Sequence, residues 1–256
     1  MKKNIIFIPA IDAGRGRHNA YQYSIKSWQK WAEKHNAEVV VWDEQLYTWD
    51  EMTIPWQRYH LFKILEHNNI AYDQVLMVDS DTVIHPDTPN FFEFTERKYV
   101  GVLDLGCWEW TGRSLRHYKE LFNGFKVDRG LYFNGGFQIV NETHKEFFDE
   151  VLDFYSKNQD ILREKQKSGL VTDQTPINYL VQTKNIDLKI FPSTYNLHHM
   201  VSKNLLNFGQ SWWGDSLENL YDQAWVYHFN AMPANNLKRD TDYFIKRSYE
   251  ELWINK

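Results

Sequence analysis

An α/β fold with a mainly parallel central sheet flanked by helices is the architecture this sequence predicts. Three observations point to it. Short apolar runs alternate with segments of helical periodicity through the first third of the chain. The third such run ends abruptly in a pair of carboxylates. No repeat, low-complexity tract or linker divides the chain, and 256 residues suffice for one α/β domain.

The elements follow in order. Ile5 to Ile11 is an apolar run of buried-strand length, closed by the loop Asp12-Ala13-Gly14-Arg15-Gly16-Arg17. From Tyr21 to His35, the residues Tyr21, Ile25, Trp28 and Ala32 recur at helical spacing. Glu38 to Trp42 is a Val-rich second strand followed by Asp43. Trp56 to His67 is helical, with Leu61, Phe62, Ile64 and Leu65 on one side. Gln74 to Val78 is the third strand and runs straight into Asp79-Ser80-Asp81. Strands separated by helices of this length form a parallel sheet with right-handed crossovers.

Farther on, Tyr99 to Leu103, Gly136 to Val140 and Leu188 to Phe191 read as strands. Thr143-His144-Lys145-Glu146 has the form of a capping box, opening a helix that carries Phe147, Phe148, Val151, Leu152 and Tyr155. A further helix is expected from Thr172 to Thr183, with Pro176 in its first turn.

Composition excludes several classes. With 43% hydrophobic and 25% charged residues the chain is globular, and a net charge of -5 gives no electrostatic footprint for a nucleic acid. Cys107 is the only cysteine, which leaves no disulfide framework and no cysteine-based zinc site. The apolar run near the N-terminus stops at Asp12 and is followed by Arg15 and Arg17, too short for a secretory signal. No later stretch approaches the roughly 18 apolar residues of a membrane span. The expectation is a soluble protein of a reducing, cytoplasmic compartment. Aromatics make up 16% of the chain, with 11 Trp. Most are expected in the core, leaving some to stack on a base or a sugar face.

The chemistry centres on Val75-Leu76-Met77-Val78-Asp79-Ser80-Asp81. Ligands of open α/β sheets collect at the carboxyl ends of parallel strands. Carboxylates at i and i+2 on such an end can point at one hard divalent cation, whose other positions stay open for diphosphate oxygens. The alternative role is that Asp79 or Asp81 caps a turn. A second copy of the pattern, Asp240-Thr241-Asp242, follows the polar segment Asn235 to Arg239 and is discounted for that reason.

The strand ending in Asp79-Ser80-Asp81 resembles the D-x-D motif of nucleotide-diphospho-sugar transferases with the A-type fold. Three further blocks resemble the glycogenin-like group, family 8. Tyr132-Phe133-Asn134-Gly135-Gly136-Phe137-Gln138-Ile139-Val140-Asn141 is similar to its Y-F-N-(small)-G-hydrophobic-N segment. Asp173-Gln174, leading to Asn178-Tyr179-Leu180, is similar to its D-Q-x-x-x-N. His228-Phe229-Asn230 is similar to its H-F-x-G. The blocks stand in the family's order from Asp79 to His228.

The resemblance implies a single A-type glycosyltransferase domain. Residues 1–105 would form the nucleotide-sugar-binding half, and residues 106–256 the acceptor and catalytic half. It implies a metal, manganese or else magnesium, held by Asp79, Asp81 and His228. Imidazole suits a transition ion such as manganese, while magnesium prefers all-oxygen sites. The donor would be a nucleotide-diphosphate sugar, a UDP-sugar first, and the acceptor a carbohydrate or glycan hydroxyl. Asp79, Ser80, Asp81, Arg58, Asn134, Gly135, Gly136 and Lys238 would contact the donor, with the glycines letting backbone approach the sugar. Asp173 and Gln174 would stand beside the transferred sugar as catalytic residues.

Each of these positions has a structural alternative. Asp173 also suits a helix cap, Arg58 a solvated helix face, and His228 a packed core histidine. The sequence departs from the family pattern after His228, where Ala231 replaces a glycine and no K-P-W follows; Lys238 or Arg239 would have to supply that charge. A product that keeps the donor's anomeric configuration follows from the family pattern. An inverting enzyme would need a carboxylate base, Asp104 or Asp173.

Two other classes compete. Asp79-Ser80-Asp81-Thr82-Val83 also fits the D-x-D-x-T motif of haloacid-dehalogenase-like phosphatases, with Gly214-Asp215-Ser216 as a later acidic motif. Against it, two strand–helix units precede the motif, and Phe208 to Trp213 is not an apolar strand. A non-catalytic sugar-binding protein would explain stacking aromatics but has no need of Asp79, Asp81 and His228 together.

Overall fold

A computed structural model describes residues 2–12, 18–106, 108–168, 173–199, 221–230, 232 and 240–255. The elements that position the site are β1 (Lys3–Pro9), α1 (His18–Lys34), β2 (Glu38–Trp42), α2 (Ile54–Gln57), α3 (Leu61–His67), β3 (Tyr72–Val78) and β4 (Thr82–Ile84). They continue with β5 (Tyr99–Leu103), α4 (Trp108–Tyr118), β6 (Phe133–Asn141), α5 (Lys145–Lys167), α6 (Gln174–Thr183), β7 (Leu188–Phe191), β8 (Val226–His228) and α7 (Thr241–Trp253).

The central sheet has the order β2-β1-β3-β6-β5-β7, and β4 pairs with β8 in a separate two-stranded ribbon. The β1–β2, β1–β3 and β5–β7 pairs are parallel, as the strand–helix alternation predicts. β6 is the exception: it runs antiparallel to both β3 and β5. A mixed α/β architecture is therefore present, with one reversed strand in the middle.

Both faces of the sheet are covered. Ile5, Phe7, Val75 and Met77 point into a cluster with α3, α5 and α6, while Ile6, Ile8, Leu76 and Val78 point into a second cluster with α1. That two-sided burial explains why the strands read as continuous apolar runs rather than alternating ones. Every residue of β6 is buried. Four of the tryptophans, Trp28, Trp31, Trp42 and Trp56, belong to these layers. Trp28, Trp31 and Trp56 are fully buried, and Trp31 stacks on Phe91 with ring centroids 4.5 Å apart.

Several local expectations are corrected. The helix expected over Trp56 to His67 is interrupted: α2 gives way to a 3-10 turn over Arg58–His60 before α3 begins. The tighter winding changes the angular phase of the side chains; Tyr59 is buried in this turn, and the Arg58 side chain keeps only 11% exposure. The capping box exists but sits earlier, because Asn141 and His144 exchange the two bonds and open a 3-10 turn ahead of α5. The discounted copy Asp240-Thr241-Asp242 begins α7, where the Asp240 carboxylate caps the Tyr243 N–H at 3.0 Å. Among the described residues no helix is long and apolar enough to cross a membrane.

One glycine tests the packing of the sheet. A Cβ on Gly101 of β5 would stand 2.4 Å from Phe133 Cγ. Gly101→Ala should destabilise the fold by about 1–3 kcal/mol, the usual cost of overpacking. Urea unfolding checks it, and an unchanged midpoint would show that Phe133 moves aside freely.

Candidate functional site

Asp79 and Asp81 stand at the carboxyl end of β3, where the chain turns into β4, with Ser80 buried between them. The turn is held from the core side. Thr82 Oγ1 donates to the Asp79 carbonyl at 2.8 Å and accepts from the buried Trp28 Nε1 at 2.9 Å. The ribbon then delivers the third group. Thr82 of β4 lies opposite His228 of β8, and the Phe229 N–H donates to the Asp81 carbonyl at 2.9 Å.

His228 Nε2 lies 3.0 Å from Asp81 Oδ1 and 3.5 Å from Asp79 Oδ2. One donor atom from each of the three residues falls within 4.8 Å of the others. Nε2 is buried, and despite its approach to Asp81 it meets no acceptor in hydrogen-bonding geometry. Two carboxylate oxygens and a buried ring nitrogen with no hydrogen-bond partner make a donor set that fits a divalent cation. The group therefore could hold a divalent metal.

Gly136 makes this convergence physically attainable. β6 lies beside β3, and the Gly136 carbonyl accepts the Asp79 N–H at 3.1 Å. A Cβ on Gly136 would stand 2.4 Å from His228 Cε1 and 2.7 Å from Asp79 Oδ2. The missing side chain thus serves the aspartate–histidine approach itself. Gly135 is different, since a Cβ there would make an ordinary 3.5 Å contact with Gln174 Cβ.

Arg58 compensates the carboxylates. Its Nη1 is 2.7 Å from Asp79 Oδ1 and donates to the Gly135 carbonyl at 3.0 Å. Its Nε donates to the Pro55 carbonyl at 3.1 Å and lies 3.7 Å from Asp173 Oδ2. Burial alone would lower the guanidinium pKa, but the charges of Asp79 and Asp173 together override that and raise it. The solvated-face alternative for Arg58 is therefore wrong.

Asp173 also departs from one expectation. It occupies the residue before α6, yet its side chain makes no capping bond. The buried carboxylate turns to Arg58 and to the Tyr59 hydroxyl, 3.3 Å away. Burial, then the Asp173 charge, push the Tyr59 pKa well up, so the phenol stays a neutral donor.

Gln174 links the other side. Its Oε1 accepts from the Gly135 N–H at 3.0 Å and from Asn134 Nδ2 at 3.1 Å, and its Nε2 donates to Asp104 Oδ2 at 2.5 Å. Asp104 also faces His198 Nε2 at 3.3 Å and accepts the Gly106 N–H at 2.7 Å. Burial would raise the Asp104 pKa, but the His198 bond and charge, the Gly106 N–H and the Gln174 amide outweigh it and lower it.

The fold thus gathers Asp79, Ser80, Asp81, Arg58, Asn134, Gly135, Gly136, Asp173, Gln174 and His228 around one spot. Lys238 and the loop residues Gly14 to Arg17 lie outside the described residues, as does Gly214-Asp215-Ser216. Asn196 and His198 were missed in the sequence. The only signal for them is the polar cluster Asn196-Leu197-His198-His199 after β7, which has no diagnostic spacing.

No family model matches the chain, and no curated protein matches it in sequence. Solved structures match it in fold. A glycosyltransferase involved in the glycosylation of the major capsid of PBCV-1 superposes with a TM-score of 0.61 at 10% identity, covering 96% of this chain and 99% of that one. Mouse xyloside xylosyltransferase 1, in its apo form, gives a TM-score of 0.49 at 11% identity over 90% and 98%. The first likeness spans nearly the whole of both chains, and the fold is the A-type glycosyltransferase fold.

Two outcomes follow from this geometry. Gly136→Ala should lower whatever affinity the group has for a divalent cation by about tenfold or more, because the new methyl would collide with His228 and Asp79, two of the three candidate ligands; isothermal titration with a divalent cation checks it, and equal affinity of both proteins would show that the cluster shifts without loss. The second concerns pH. Burial lowers the His228 pKa, but Asp81 and then Asp79 outweigh it and raise it. In metal-free protein its stabilising contribution is then complete below the ordinary imidazole value of about 6.5 and fades as pH rises through the raised folded value. Melting temperatures of wild type and His228→Gln, both in EDTA, should converge as pH rises through that window. A constant gap would mean that His228 does not change protonation across that window.

Proposed function

We propose that this chain is a metal-dependent glycosyltransferase moving a sugar from a nucleotide-diphosphate donor to an acceptor hydroxyl. The observation that carries the reading is the Asp79–Asp81–His228 convergence at the carboxyl end of the sheet, in an A-type glycosyltransferase fold. The family-8 likeness of the four sequence blocks supports it, because the blocks meet in space around that convergence. A UDP-sugar is the first donor to try, with a carbohydrate or glycan as acceptor.

Asp79, Asp81 and His228 would hold manganese, with magnesium as the second choice. A cation held there supplies Lewis-acid neutralisation of the charge that develops on the departing nucleoside diphosphate. Arg58 holds Asp79 in place through their 2.7 Å contact and offsets the negative charge of its surroundings. Gly135 and Gly136 bring backbone close to the cluster, with the Gly135 carbonyl tied to Arg58.

Asp173 and Gln174 are the catalytic candidates beside the transferred sugar, where a developing oxocarbenium favours fixed negative potential. The Gln174 amide is oriented by Asp104, and the Asp173 carboxylate is oriented by Arg58 and Tyr59. Retention follows from the family pattern. Residues 1–105 would then contribute the donor half of the domain and residues 106–256 the acceptor half, with Lys238 a candidate diphosphate contact.

The experiment is a screen of nucleotide sugars for manganese-dependent hydrolysis, with melting temperature followed in parallel. Manganese and the matching nucleoside diphosphate should raise the melting temperature together. A phosphatase would instead cleave phosphomonoesters, and a sugar-binding protein would be stabilised by free sugar without metal. Asp81→Ala should abolish turnover while leaving the fold intact; near-full activity at saturating manganese would remove the metal from this proposal.

A further inference from the structure

Behind His228 runs a chain of side-chain amides whose direction the backbone dictates. The Gly136 N–H donates to Asn134 Oδ1 at 2.9 Å, and the Gly135 N–H donates to Gln174 Oε1 at 3.0 Å. A backbone N–H can only donate, so both partner atoms are oxygens and both amides have a fixed orientation. Asn134 Nδ2 then donates to Gln174 Oε1 at 3.1 Å, and Gln174 Nε2 donates to the Asp104 carboxylate.

The same logic extends to Asn196. Its amide meets Asn134 Oδ1 at 2.9 Å, an oxygen already accepting from Gly136. Asn196 must therefore present its NH2 group there. Its carbonyl oxygen is left facing His228 Nδ1 at 3.1 Å. Two acceptors at that separation repel, and Asn196, Asn134, Gln174 and His228 are all buried, with little water to relieve the clash. His228 Nδ1 must carry a hydrogen.

We infer that Asn196 is a positioning residue for the metal centre: it locks His228 as the Nδ1–H donor and so aims Nε2 at the gap between Asp79 and Asp81. This rests on the metal reading proposed above. With a cation held there, Nε2 would give any proton it carries to solvent and act as a ligand, while the proton on Nδ1 would stay on the ring, donated to Asn196 Oδ1. Without the Asn196 oxygen the ring is free to rotate or to keep its proton on Nε2, against Asp81. Both outcomes remove the nitrogen lone pair from the cluster. Groups that hold a ligating histidine by its other nitrogen commonly govern metal affinity in this way. Asn196 reaches this position because the Leu197 N–H and carbonyl bond to the Val226 carbonyl and the His228 N–H, at 2.8 and 3.0 Å, laying the segment beside β8.

The test is a double-mutant cycle on manganese affinity, read from the EPR signal of the free ion. Asn196→Leu should raise the dissociation constant by about 10–100-fold with an unchanged circular dichroism spectrum. In a His228→Ala background the same substitution should change it by less than about twofold, because the residue acts only through the ring. An equal loss in both backgrounds would make Asn196 a general structural support and overturn the inference. Saturable wild-type binding that Asn196→Leu leaves unchanged overturns it too, with the metal reading intact. No saturable binding by the wild type overturns both. Should Asn196→Leu fail to fold, the wild type itself decides. Nitrogen NMR of 15N-histidine-labelled protein with Zn2+, a diamagnetic cation, should show the His228 proton on Nδ1 and none on Nε2; the reverse pattern overturns the inference.

Discussion

Carboxylates crowded together in a partly buried site repel one another and lose part of their hydration, and the centre of this molecule is organised by that constraint. Asp79, Asp81, Asp104 and Asp173 converge near the carboxyl end of β3, and each is met by at least one partner, some of them shared. Arg58 lies between Asp79 and Asp173, His228 faces Asp79 and Asp81, and His198, the Gly106 N–H and the Gln174 amide serve Asp104. Removing a partner would leave part of a partly desolvated charge without its offset, the costly direction for a buried pair. The cluster is therefore polar, tightly connected and still rich in negative charge, the condition under which a cation is drawn in.

The reversed strand β6 sets the geometry around it. Its antiparallel register against β3 puts Gly136 next to Asp79, and only a residue without Cβ fits against His228 and Asp79 together. The same strand carries Asn134 and Gly135 toward α6, so that one segment touches both the Asp79–Asp81–His228 group and Gln174. The short β4–β8 ribbon completes the arrangement by holding His228 opposite Thr82. Two pieces of sheet, rather than loops alone, place the donors, which gives the rigidity a metal site requires.

The amide chain from His228 through Asn196, Asn134 and Gln174 to Asp104 joins the two ends of the site in one hydrogen-bonded direction. Such a chain has a single satisfied arrangement, since reversing any amide sets oxygen against oxygen or NH2 against N–H. Metal-ligating and catalytic candidates are thus held by a common scaffold.

The sequence by itself determined the α/β class, β2, β5 and β7 to the residue, and the place of Asp79 and Asp81 at a strand end. These depend on local periodicity and on where an apolar run meets carboxylates, and both are properties of neighbouring residues. The family-like blocks further marked His228, Gln174 and the glycine pair, because short spacings survive in the chain as written. Tertiary structure alone decided the rest. Reversal of β6, inward rotation of Arg58 at the 3-10 turn, and the turning of the Asp173 carboxylate from a cap to an ion pair all depend on partners distant in the chain. So do the reason Gly136 has no side chain and the bond from Asn196 to His228. Pairing of remote strands carries no local periodicity, and an asparagine that orients a histidine looks, in sequence, like any other asparagine.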